Sequence, residues 1–194
     1  MNKIIKFCLA LKVIFITTGC AALLPISVVT TTLIASDERS LGVILDDKMI
    51  TNKIRSDLAK FGSTFLQVHL AVLEGRILLT GTVPSNEAAK ELLKIVWSIK
   101  GVREVLNELV VALKTLDNSA NDLLIEKAVE SLLLLEKDLI SANYKVSVNN
   151  SKVYILGIAQ NAKERDKALT VARTVKAVDK VINYIILKND IRRG

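Results

Sequence analysis

Two cysteines, one histidine and a few close pairs of carboxylates are the residues of this 194-residue chain whose types could do covalent, metal or acid–base chemistry. A Cys/His metal site needs about four such ligands, and a nucleophilic dyad needs a base beside its nucleophile. His69 has neither. It alternates with Val68, Leu70 and Val72, which puts its ring on the other face of a strand, where an ordinary polar side chain belongs. Asp46-Asp47 and Glu87/Glu91 have the spacing for shared acid–base work, yet both pairs read as helix N-terminal or solvated-face charge. There is no glycine-rich phosphate loop, nucleophile elbow or ligand cluster. The chain is therefore expected not to be an enzyme and to hold no metal or cofactor. With 4% aromatic residues it also lacks the stacking platforms of single-strand nucleic-acid binders, so no nucleic-acid partner is expected.

Cys20 is the one thiol in a chemically recognisable setting. The chain starts MNKIIKFCLALKVIFITTGCAALL, with Lys3 and Lys6, an apolar stretch, and small residues ending in Thr18-Gly19-Cys20. This layout predicts a secretory signal at 1–19. A Cys directly after Gly resembles the lipobox of bacterial lipoproteins, which implies cleavage before Cys20 and fatty acylation, palmitate included, of its sulfur and new amine. Two other readings use the same residues. Val13 to Ser36 is uncharged and long enough to span a bilayer uncleaved, although Pro25 and the β-branched run at 28–32 disfavour a helix there; the third is an ordinary cleaved signal. Cleavage before Cys20 lowers the net charge from +7 to about +4 and leaves no other thiol.

The rest of the chain is one pattern written twice. Shifted by 76 positions, 68–111 overlies 144–187 without a gap, with identities at Val72/Val148, Gly81/Gly157, Leu93/Leu169, Lys100/Lys176, Val102/Val178, Val105/Val181 and Asn107/Asn183. In each copy, alternating apolar residues flank a turn, Glu74-Gly75 in the first and Asn149-Asn150 in the second, which predicts a β-hairpin. Ser85 and Asn161 then stand as N-caps before apolar residues at helical spacing. Gly101 closes the first helix as a C-cap, and its counterpart Ala177 implies a less sharp end for the second. A last strand follows in each copy. Upstream lie two more amphipathic stretches, Ile50/Ile54/Leu58/Phe61 and Ile125/Val129/Leu132/Leu133. With one indel, each copy reads αββαβ over about 65 residues, a marginal size for one core. Packing the copies through Leu78, Leu106 and Val110 against Tyr154, Ile182 and Ile186 is the expected remedy.

The hairpin ending in LLTG with KGVREVLN after its helix, and YILG with KAVDKVIN, resembles the BON domain of bacterial envelope proteins. The order of lipobox, uncharged spacer and two copies is similar to dual-BON outer-membrane lipoproteins. The resemblance implies an α+β chain of two tandem αββαβ modules, each a three-stranded mixed sheet packed against two helices. The expected boundaries are a signal at 1–19, lipidated Cys20 and spacer at 20–45, modules at 46–112 and 121–190, and a linker at 113–120. It further implies a periplasm-facing outer-membrane protein that supports envelope integrity by binding anionic phospholipid, mainly through the second module.

The second half is the more basic one, with fourteen Lys+Arg against ten Asp+Glu, compared with nine against eight over 46–111. Lys163, Arg165, Lys167, Arg173, Lys176 and Lys180 cluster on and after its second helix, with Arg192-Arg193 at the tail. Its first helix carries Leu123, Leu124 and Leu135 beyond the core stripe. Within the family this helix is implicated in lipid binding through an aromatic at its start, and Leu124 stands at that position here. The candidate lipid-binding residues are Leu123, Leu124, Lys127, Leu135, Lys163, Lys167 and Arg173, with Cys20 for lipidation. The alternative is an interaction scaffold that docks an envelope or division-machinery protein and touches lipid only through Cys20. A glycan binder would have just Trp97 and three Tyr for stacking on sugars.

Overall fold

The computed structural model describes residues 39–112 and 119–193, and the signal, Cys20 and residues 113–118 lie outside them. Helix α1 (Leu41–Ala59) begins at Ser40, whose hydroxyl accepts from the Val43 amide at 3.3 Å. Strands β1 (Val68–Leu73) and β2 (Arg76–Val83) pair antiparallel, helix α2 (Asn86–Trp97) crosses over, and β3 (Glu104–Val111) returns parallel to β2. Helix α3 (Ser119–Leu135), β4 (Tyr144–Asn149), β5 (Lys152–Ala159), α4 (Ala162–Arg173) and β6 (Lys180–Leu187) repeat this order. Each half is thus αββαβ with a mixed sheet of order β1-β2-β3 or β4-β5-β6. The N-caps fall where the sequence places them: Ser85 accepts from the Ala88 amide and Asn161 from that of Glu164.

The hairpin turns have positive φ at both central residues, Glu74 and Gly75 in one and Asn150 and Ser151 in the other. The second turn therefore sits one residue later than the expected Asn149-Asn150, because Asn149 still pairs with Lys152 as the last rung of the ladder. The end of the crossover helices also differs from expectation. Both helices stop at equivalent residues, Trp97 and Arg173, and Gly101 and Ala177 lie in the turn beyond, at φ 96° and 68°. Ala177 takes the left-handed conformation despite its Cβ, so the second helix ends as sharply as the first.

Alternation divides each sheet into two faces. Ile77, Leu79 and Val83 of β2 pack on Ile50 and Ile54 of α1 and Leu92 and Val96 of α2. Val153, Ile155 and Ala159 of β5 do the same with Ile125, Val129 and Leu133 of α3 and Ala168 and Ala172 of α4. The opposite faces meet each other: Leu73 and Leu78 pack with Tyr154, Leu156, Ile158 and Ile186, with Leu106 and Ile182 at the margin. Val110, expected in this layer, is exposed at the end of β3. The result is helices, sheet, sheet, helices, and the described residues form one compact unit.

Polar groups inside this double sheet are paired across it. Thr80 Oγ1 and Ser147 Oγ share a buried hydrogen bond of 2.7 Å. Arg76 donates to Glu104 at 2.5 Å and to the Tyr184 carbonyl at 3.1 Å, and the Tyr184 hydroxyl bonds Glu108. At the tail, Arg193 makes two bonds to Glu74, of 2.6 and 3.0 Å.

One carboxylate in each half ties the first helix to the hairpin. Asp47 accepts from the Glu74 and Gly75 amides at 2.8 and 2.9 Å, and also pairs with Arg39 at 3.1 Å. Asp122 accepts from Asn150 and Ser151 at 2.7 and 2.9 Å. Both acids are buried. Asp47 is therefore not the solvated charge expected of the Asp46-Asp47 pair: a tight turn points two amides inward, and this carboxylate satisfies both.

Asp47→Ala is expected to lower stability in urea by about 2–4 kcal/mol, since hydrogen bonds to charged groups and the amides left unpaired both count; an unchanged midpoint would contradict the role. A Cβ on Gly81 would stand 1.9 Å from the Gln67 carbonyl oxygen at φ 100°, whereas one on Gly157 meets mainly the Tyr144 ring at 2.5 Å. Backbone cannot yield as a ring can. Gly81→Ala should cost about 3 kcal/mol or more and Gly157→Ala about 1–2, and the reverse ranking in thermal unfolding would contradict this geometry.

Candidate functional site

Helix α3 buries Asp122, Ile125, Val129 and Leu133, which lie on one side at 3.6 residues per turn. Four leucines on the outer side have no such cover: Leu123, Leu124, Leu134 and Leu135 are 55, 71, 61 and 76% exposed. They form two pairs about 16 Å apart along the axis. Leu134 joins the residues expected from the sequence; its signal is the spacing of eleven, three helical turns, that separates Leu123 from Leu134 and Leu124 from Leu135. Leu132, expected in the core stripe with Leu133, is instead part-exposed at the edge of this outer face.

Between the leucine pairs lies Lys127, bonded to Glu130 at 2.7 Å and 3.7 Å from Glu126. The Glu130 hydrogen bond raises the Lys127 ammonium above the ordinary lysine range. Glu126 is pushed up, first by burial and then by Glu130, while His69 of β1 acts electrostatically to lower it. His69 thus has an acidic neighbour across the two halves, which its sequence surroundings give no sign of. The band between the leucine pairs thus holds one ammonium between two carboxylates, a net acidic cluster.

The basic candidates separate into two groups. Lys167 reaches from α4 to Glu136 and Asp138 just past the end of α3, at 2.8 and 2.9 Å, so it joins the end of α3 that carries Leu135. Lys163 acts on Asp138 electrostatically and is exposed. Arg173, at the far end of α4, is exposed and is not brought to the leucine face. The tail arginines are engaged elsewhere: Arg192 pairs with Asp190 at 2.7 Å and Arg193 with Glu74. Among the described residues, Lys163, Arg173, Lys176 and Lys180 are exposed cations outside any ion pair.

In the first half, a cavity of about 900 Å³ lies between α1 and the turn after α2, lined by Ile50 and Ile99 and by charges of both signs, Asp46, Asp47, Asp57 and Glu74 with Lys53, Lys100, Arg103 and Arg193. No helix among the described residues is long and apolar enough to cross a membrane.

The tyrosines serve the core. Tyr144 is buried and donates to Glu164 at 2.8 Å, and Tyr154 lies between the sheets. Burial raises all three tyrosines above the ordinary value of 10.0, assisted by Glu164 at Tyr144 and by Glu108 at Tyr154 and Tyr184. Because the folded phenols hold their protons more tightly than the unfolded ones, the stability they contribute is complete below pH 10 and is lost as pH rises toward their folded values. Tyrosinate absorbance is expected to appear only together with loss of the helical circular-dichroism signal, above pH 10. Gradual ionisation near pH 10 in a chain still folded would contradict the buried placement.

Residues 46–112 and 121–189 each match the BON domain family. The chain is 34% identical over 147 residues to an Anaplasma centrale protein named only as the uncharacterized protein in gshII 5′ region, covering 75% of this chain and 97% of that one. It is 29% identical to the 21 kDa hemolysin of Actinobacillus pleuropneumoniae, over 77% and 78% of the two chains. It is 24% identical to the outer membrane lipoprotein DolP of Haemophilus influenzae, over 94% of this chain and 95% of that protein.

Proposed function

The chain belongs to the BON domain family, and from that premise we propose that it is a non-enzymatic, envelope-associated lipoprotein, held at the outer membrane by acylated Cys20 and facing the periplasm. In this reading its second module recognises anionic phospholipid and so supports envelope integrity. The observation that carries the reading is the pair of leucine pairs on α3, exposed beside a core stripe that is buried; Leu41, Leu45 and Met49 of α1 are exposed as well. Leucine side chains at the headgroup–acyl boundary gain the burial that the core does not give them, on the order of 1.5–3 kcal/mol for each fully buried. Lys127 neutralises one of the two carboxylates, Glu126 and Glu130, on that face, and the remaining negative charge opposes an anionic bilayer. Lys163, beside the end of α3, adds attraction of about 1 kcal/mol near an anionic surface, whereas Lys167 is held by Glu136 and Asp138. A membrane anchor makes so weak a site effective, because the tethered module meets the bilayer at high local concentration.

The competing reading is an interaction scaffold, and the engagement of Lys167 by Glu136 and Asp138 favours it to that extent. Flotation of the 37–194 unit, which carries all three apolar clusters, on phosphatidylglycerol and on phosphatidylcholine vesicles decides between them. Binding to the anionic vesicles is expected to fall about 30-fold in a Leu124→Glu, Leu135→Glu variant, consistent with losing two partly buried leucines, with an unchanged melting temperature. Charge reversal at Lys163 is expected to weaken it further and to reduce its salt dependence, whereas reversal at Arg173, away from the leucine face, is expected to have the smaller effect. Equal flotation on both vesicle types, or none on either, overturns the lipid reading.

A further inference from the structure

Trp97 is the only tryptophan in the chain, and it is 54% exposed at the last position of α2. At 3.6 residues per turn, Lys90 and Lys94 lie on the same outer side of that helix, and Lys100 follows in the turn that leaves it. All three lysines are exposed and, among the described residues, none is in an ion pair. No acidic residue occurs from Leu92 to Arg103. Lys100 also lines the cavity beside Ile99, where Asp46, Asp47, Asp57 and Glu74 stand as well.

The fold does not demand this arrangement. At the equivalent positions of the second module stand Asp166, Thr170, Arg173 and Lys176, and α4 packs on its sheet as α2 does. A large amphipathic ring with cations on either side is suited to a membrane–water interface: the ring sits at headgroup depth while the ammonium groups meet the phosphates. We propose that the Trp97 end of α2 is a second docking surface for anionic phospholipid, carried by the first module. It rests on the membrane-facing reading but not on the α3 leucines. Helix α2 covers the outer side of one sheet and α3 that of the other, so the two surfaces face different directions and one flat bilayer meets one of them at a time. The first module thus gives the protein an alternative pose on the membrane.

Because Trp97 is unique, its emission reports this surface alone. The 37–194 unit carrying Leu124→Glu and Leu135→Glu, which disables the first surface, is mixed with phosphatidylglycerol vesicles containing brominated acyl chains. Trp97 emission is expected to shift to shorter wavelength and to be quenched by the bromines, to respond far less to phosphatidylcholine, and to lose the response at high salt. Adding Lys94→Glu and Lys100→Glu should abolish the response without changing the melting temperature. If the unsubstituted unit floats while Trp97 in the variant stays in water, this proposal falls and the α3 reading stands. If the unsubstituted unit binds no vesicle, both fall. A Trp97 response to soluble polyaspartate with none to vesicles assigns the patch to an acidic polypeptide and overturns the lipid proposal.

Discussion

A three-stranded sheet has two faces, and a module of about 65 residues has helices enough for one. The structure depends on how the second face is covered, and here each module covers the other's. Leu73 and Leu78 close onto Tyr154, Leu156, Ile158 and Ile186, and the polar groups that this burial would strand find partners across the seam. Arg76 is held between Glu104 and the Tyr184 carbonyl, and Tyr184 returns a bond to Glu108, so three charges and a phenol enter the layer together or not at all. The helices then have nothing left to cover, and their outer sides are free to differ between the copies.

That freedom is visible in the repeat. The parts that build the fold are kept: Asp47 and Asp122 each fasten a helix to a hairpin turn, and the strand registers coincide residue for residue. The outer positions diverge. Met49 on α1 and Lys60 just past its end become Leu124 and Leu135 on α3, while Trp97 on α2 becomes Arg173 on α4. A common scaffold with unlike outer surfaces suits two modules that meet the same membrane by different means.

The sequence makes the repeat, the strand alternation, the N-caps and the hidden sheet face legible, because each is written in local periodicity. It does not make Asp47 legible as a structural acid, since Asp46 beside it is exposed and has the same chemistry; only the recurrence at Asp122, 75 residues on, separates them. The hold of Arg193 on Glu74 joins residues 119 apart, and a basic tail looks free when read by itself. His69 near Glu126 is hidden for the same reason. Of the candidate surface, Leu123, Leu124 and Leu135 were readable as surplus to one apolar stripe. The engagement of Lys127 and Lys167 depends on side chains that meet only after the modules fold.

In the proposed function the outer side of α3 enters the bilayer. Residues 37–194 contain no cysteine, so a nitroxide on Leu124→Cys or Leu135→Cys is a unique depth probe. On phosphatidylglycerol vesicles, power-saturation electron paramagnetic resonance is predicted to show both labels gaining access to dissolved oxygen and losing access to a water-soluble nickel chelate. Labels that remain fully accessible to the chelate while the protein is vesicle-bound would contradict the account.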